Sequence, residues 1–92
     1  MFTWDPAKNE ENKRLHGIAF EDAISAFDTP TREKYDGRED YGEDRWVLIG
    51  LMRGIVVIVV VYTERGDVTR IISARKAKTY EREAFEEYLR SL

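Results

Sequence analysis

The chain has no cysteine, which excludes disulfide staples and thiolate metal sites alike. Its single histidine, His16, rules out a multi-histidine zinc centre. No carboxylate–histidine metal spacing surrounds it, and we expect neither a metal site nor a cofactor. The glycines are scattered, so there is no glycine-rich phosphate loop. Ser25, Ser73 and Ser91 lack the flanking glycines of a nucleophile elbow. The longest apolar run, residues 55–62, falls far short of the roughly 20 residues that span a bilayer as a helix. The first residues carry neither the basic nor the apolar part of an export signal, so we expect a cytoplasmic protein without membrane contact.

What is present reads as one small domain over residues 1–92. Charged residues make up 36% and hydrophobic ones 42%, a globular rather than a disordered composition. The net charge of −3 argues against a wholly basic nucleic-acid coat. The charge is uneven, however. Residues 28–45 are acidic, whereas residues 63–80 carry Arg65, Arg70, Arg75, Lys76 and Lys78 against Glu64 and Asp67.

Phe2 to Trp4 suits a short strand. Asp5-Pro6 then opens a helix to His16, with Asp as cap, Pro at the first position and Gly17 as the stop. Phe20, Ala23, Ile24 and Phe27 form one apolar stripe, which predicts a second helix ended by Asp28-Thr29-Pro30. Thr31 to Tyr35 is a marginal edge strand. Residues 36–44 are a charged loop. Strands follow at Arg45 to Met52, Ile55 to Tyr62 and Val68 to Ala74, joined by tight turns that force antiparallel pairing. The last segment, Thr79 to Leu92, is an amphipathic helix with Thr79 at the cap position. The order β-α-α-β-β-β-β-α gives an α+β fold with helices packed on an antiparallel sheet.

Two groups could carry chemistry. One is the basic segment, with Tyr62 and Tyr80 near it. Arginine suits phosphate oxygens through its bidentate fork, and tyrosines can stack on bases. The same residues also suit a salt-bridged hairpin rim, with Glu64 and Asp67 as partners. Strand alternation puts Thr69, Ile71, Ser73 and Arg75 on one face and Arg70, Ile72, Ala74 and Lys76 on the other. The second group is Lys8, Asn12 and His16, one face of the first helix. His16 is either a proton-transfer group or a cap on the last helical carbonyls.

Trp4-Asp5-Pro6-Ala7-Lys8, Asn12, His16-Gly17 and Phe20-Glu21-Asp22-Ala23 resemble the opening of the BrnT toxin family. Tyr41-Gly42-Glu43-Asp44-Arg45, Ile49-Gly50, Val60 through Asp67, Arg70 through Ala77 and Glu81-Arg82 resemble its second half. Leu15 stands where the family usually carries Lys. The resemblance implies a RelE-like fold of the RelE/ParE superfamily. It also implies a ribonuclease toxin of a type II toxin–antitoxin system, which inhibits translation and growth.

A BrnA-like antitoxin would neutralise it by direct binding, in a toxin–antitoxin heterotetramer, and operator DNA would be reached only through that antitoxin. Metal-independent cleavage of RNA uses the substrate's own 2′-hydroxyl and needs proton transfer and charge stabilisation at the phosphate. On that basis we expect Arg65 and Arg75 to stabilise the phosphate. Lys8 and His16 are expected to move protons, and Lys76, Arg70, Tyr62 and Tyr80 to hold RNA. The competing reading is a non-catalytic relative that binds a protein target or serves only as co-repressor partner of the antitoxin. The net acidity fits either a basic segment gathered on one face or an acidic surface that receives a basic antitoxin segment.

Overall fold

Asp5 and Pro6 start the first helix as their chemistry dictates. Helix α1 spans Pro6–His16; an Asp5 carboxylate oxygen accepts the Ala7 N–H at 2.9 Å, and Gly17 ends the helix at a φ of 70°. The structure, a computed structural model, describes residues 1–37 and 42–92; Arg38, Glu39 and Asp40 of the acidic loop, with Tyr41, lie outside them. The side of α1 that meets the protein is polar. Asn9 and Asn12 are its buried residues, each 5% exposed.

Five strands form one sheet: β1 (Phe2–Thr3), β2 (Arg32–Asp36), β3 (Arg45–Met52), β4 (Val56–Arg65) and β5 (Val68–Lys76). Their order is β1-β5-β4-β3-β2, with β1 parallel to β5 and the other pairs antiparallel. The short turns account for those antiparallel pairs. At the first, Arg53 and Gly54 have φ of 53° and 72°, the positive values that a two-residue hairpin loop requires.

Strand β1 covers β5 only at Thr69 and Arg70. Further along, Asn12 takes a strand's place. Its amide donates to the Ala74 carbonyl at 2.8 Å and to the Ile18 carbonyl at 2.9 Å, and its oxygen accepts the Ala74 N–H at 3.1 Å. Asn9 accepts the Phe20 N–H at 2.8 Å, satisfying the first amide of helix α2 (Phe20–Ala23). Asn12, grouped with Lys8 and His16 by spacing, is therefore a structural bracket.

The second predicted helix tightens after Ala23 into a 3₁₀ turn, Ile24–Asp28. Ser25 returns its hydroxyl to the Asp22 carbonyl and Thr29 to that of Ala26, both three residues back, which is the 3₁₀ spacing. Gly50 lets this turn approach β3: a β-carbon there would lie 3.0 Å from the Ala26 carbonyl oxygen. Phe20, Leu48, Ile58, Val60, Ile71 and Ala74 form the core beneath these helices.

Ile71 and Ala74 share that core, although they are three residues apart. Tyr62 pairs with Ile71 but Val61 pairs with Ser73, so Ile72 is an extra residue in β5. This bulge reverses the alternation. The expected facial sets are thereby corrected: Arg70, Ser73 and Arg75 lie opposite Thr63, Val61 and Val59 and share their face, while Ile71 and Ala74 turn to the core.

Helix α3 (Thr79–Arg90) covers part of the other face, with Phe85 1% exposed. Lys78, not Thr79, is the cap residue. Lysine offers no acceptor, and Glu81 supplies one by taking the Lys78 N–H at 2.8 Å. The same carboxylate receives Arg75 at 2.8 and 3.0 Å, tying the end of β5 to the start of α3. These contacts hold Glu81 at a pKa of about 2, with the Arg75 hydrogen bonds as the largest cause and the Lys78 amide next after the opposing effect of burial.

Three outcomes follow for stability. Replacing Asn12 with Ala removes three hydrogen bonds from buried backbone groups and should cost about 3 kcal/mol in urea unfolding. Lys13→Ala, which removes an exposed, solvent-screened pair with Glu10, should shift the urea midpoint far less than Asn12→Ala. Because the folded pKa of Glu81 lies below its ordinary 4.5, its stabilisation is present above pH 4.5 and disappears as pH falls toward 2. Urea unfolding at stepped pH should show wild type losing more stability across that window than Glu81→Gln.

Candidate active site

The part of the sheet that α3 leaves open is a cleft of about 710 Å³. Its floor is aliphatic: Val47, Val59 and Val61 stand side by side on β3 and β4. One wall is β2, with Lys34, Tyr35 and Asp36. The opposite wall is the end of β5 and the start of α3, with Ser73, Arg75, Lys78, Tyr80 and Glu81. Register explains the grouping. Lys34, Val47, Val61 and Ser73 form one cross-strand row, and Val59 and Arg75 belong to the next. Among the described residues the lining carries three cations and two carboxylates, a small positive excess in a chain that is acidic overall.

Arg75 is half-buried and its direction is fixed. Nη1 and Nη2 donate to the two Glu81 oxygens, and Nη1 also donates to the Lys76 carbonyl at 3.2 Å. Tyr80 is 67% exposed at the mouth, and its ring is accessible to a base. An apolar floor, a fixed guanidinium, two lysines and an accessible aromatic ring suit a flat, partly apolar ligand bearing phosphate.

The other expected residues are distributed differently. Arg65 is opposite Val68, six residues along β4 from the partner of Arg75, or roughly 20 Å away at a strand's rise. There it donates to Glu43 at 2.7 Å and lowers that carboxyl's pKa, with Arg45 and Arg70 adding smaller charge effects. Arg65 and Arg75 therefore cannot grip one phosphate, and Arg65 sits in an ion pair at the rim, with Glu43 as its partner in place of the expected Glu64 or Asp67.

Arg70 belongs to the same distant end. Tyr62 is corrected outright: it is 4% exposed in the helix-covered core, with its ring 5.2 Å from that of Phe27. Burial first, then Glu33 and Glu64, push its hydroxyl up to about 12. Its ring is not available to a base. Lys76 borders a separate groove with Leu51, Arg82 and Glu86. Lys8 and His16 are exposed on α1 and do not line the cleft.

The sequence reading missed Lys34, Ser73 and Glu81, and it placed Lys78 in the basic segment without giving it a role. Lys34 depends on the register of β2 against β3, which no local pattern encodes across the intervening loop. Glu81 had a visible signal, since it lies three residues after Lys78 at the spacing of a capping box, but the cap was assigned one residue late.

Residues 4–81 match the family model described as ribonuclease toxin, BrnT, of type II toxin–antitoxin system. A comparison with curated proteins gives no significant match. Among solved structures, the Brucella abortus ribonuclease toxin BrnT superposes with a TM-score of 0.67 at 28% identity, over 86% of this chain and 99% of that one. With the matched model spanning most of the chain and both halves of the fold, this protein belongs to the BrnT family of ribonuclease toxins of type II toxin–antitoxin systems.

Proposed function

We propose that the cleft between β2 and the start of α3 is where this ribonuclease holds and cuts RNA, without a metal ion. The observation that carries the reading is Arg75, a guanidinium fixed above an aliphatic floor, with Lys78 on the same wall of the cleft and Lys34 on the opposite one. A base lies on the valines or against Tyr80, and its phosphate meets the cations.

In cleavage the 2′-hydroxyl loses its proton and its oxygen attacks the adjacent phosphorus. The bond to the 5′-oxygen breaks, and that oxygen takes up a proton. Negative charge grows on the phosphoryl oxygens during this exchange, and Arg75 is the group oriented to stabilise it. Lys34 and Lys78 supply further positive charge. Lys8 and His16 lie outside the cleft and have no part in the proposal, and Lys76, Arg70 and Arg65 are assigned at most to the path of the flanking strand.

Membership of a type II toxin–antitoxin family implies an antitoxin partner. We assign that role to a BrnA-like protein that binds the toxin directly and carries its contact with operator DNA.

The test is cleavage of RNA by the purified protein in EDTA. Wild type should cut, and Arg75→Ala of confirmed fold should be slower by about 100-fold or more, the scale of a lost transition-state donor. Arg65→Ala should stay within about fivefold, the scale of an exposed ion pair. The reverse ranking would move the site to the far end of the sheet.

A further inference from the structure

The Arg75–Glu81 pair presents a puzzle for a phosphate-binding arginine. A carboxylate in the same cleft repels phosphate, so as a device for affinity alone it works against the enzyme. Yet it is held firmly. Glu81 is 15% exposed and lies in the first turn of α3, where helix amides favour an anion. It accepts the Lys78 N–H as well as both Arg75 contacts. An arginine side chain without such a partner samples many rotamers, and a guanidinium swung out of the cleft stabilises nothing there.

We infer that Glu81 is a positioning residue of the ribonuclease: by taking the Nη1/Nη2 fork, its carboxylate fixes the plane and place of the Arg75 guanidinium in the cleft, so that the cation stabilises the reacting phosphate from a set position, trading ground-state affinity for orientation. This rests on the cleft being the site of cleavage. The carboxylate stays ionised throughout the working pH range, so the pair is a fixed bracket and not a pH switch. Glu81 touches no reacting atom; it acts through Arg75.

The inference is tested with Glu81→Gln, which keeps an oxygen for the Lys78 amide but loses the charge that grips Arg75. Initial rates on a short RNA should show kcat down by about 10- to 100-fold, the scale of a misplaced catalytic group. KM should be unchanged or lower, because a negative charge beside the phosphate is gone. In an Arg75→Ala background the same substitution should have no further effect, since the group it orients is absent.

Unchanged kcat with a raised KM, or a multiplicative loss in the double variant, would overturn the positioning role. Full cleavage by Arg75→Ala alone would overturn the site assignment itself, a failure visible before Glu81 is varied. If Glu81→Gln melts below the assay temperature, Glu81→Asp carries the same rate comparison. Its shorter arm should lower kcat as well, and wild-type kcat in that variant would contradict the inference.

Discussion

One extra residue in one strand decides which side chains this protein offers to a ligand. Regular alternation from Ile71 would turn Arg75 into the core beneath the helices. The bulge at Ile72 lets Ile71 and Ala74 both serve that core while Ser73 and Arg75 face the open side. A slip of one residue exchanges the two faces of a strand completely, so the bulge must be held in place. Asn12 does so from outside the sheet, bonding the N–H and carbonyl of Ala74 just beyond it. The polar helix α1 and the cationic cleft are thus linked, although none of the α1 side chains lines the cleft.

The same arrangement bears on the conflict between an acidic chain and an RNA-cutting family. Attraction to a polyanion need not be spread over the surface when a small cleft gathers Lys34, Arg75 and Lys78. Carboxylates take part without cancelling the effect. Glu81 is spent on orienting Arg75, and Glu43 neutralises Arg65 at the far end of β4. The basic segment read from the sequence is therefore divided by the fold into a cleft end at Arg75 and Lys78 and a rim at Arg65 and Arg70, with Lys76 at a different groove.

Much of the fold was legible because it depends on local chemistry. Asp5-Pro6 and Gly17 bound α1 where expected, and the β-branched run of β4 and its tight turns led to the antiparallel centre of the sheet. The 3₁₀ turn was less visible, since an apolar stripe reads alike whether the hydroxyls of Ser25 and Thr29 reach back three residues or point to solvent. Arg75 and Tyr80, singled out from the residues and the family resemblance, both line the cleft. Tyr62 was misassigned because a tyrosine beside arginines looks the same in sequence whichever face it occupies. Lys34 stayed hidden because β2 reaches the cleft through long-range pairing.

The central claim is that the reacting phosphate lies against Arg75 in this cleft. The most direct measurement is a structure of the protein with a short RNA whose attacking 2′-hydroxyl is replaced by hydrogen, so that it binds and is not cut. The account predicts the phosphate within hydrogen-bond distance of the Arg75 guanidinium, with a neighbouring base against the valine floor or Tyr80. An oligonucleotide bound along α1 beside Lys8 and His16, or at Arg65 with the cleft empty, would contradict it.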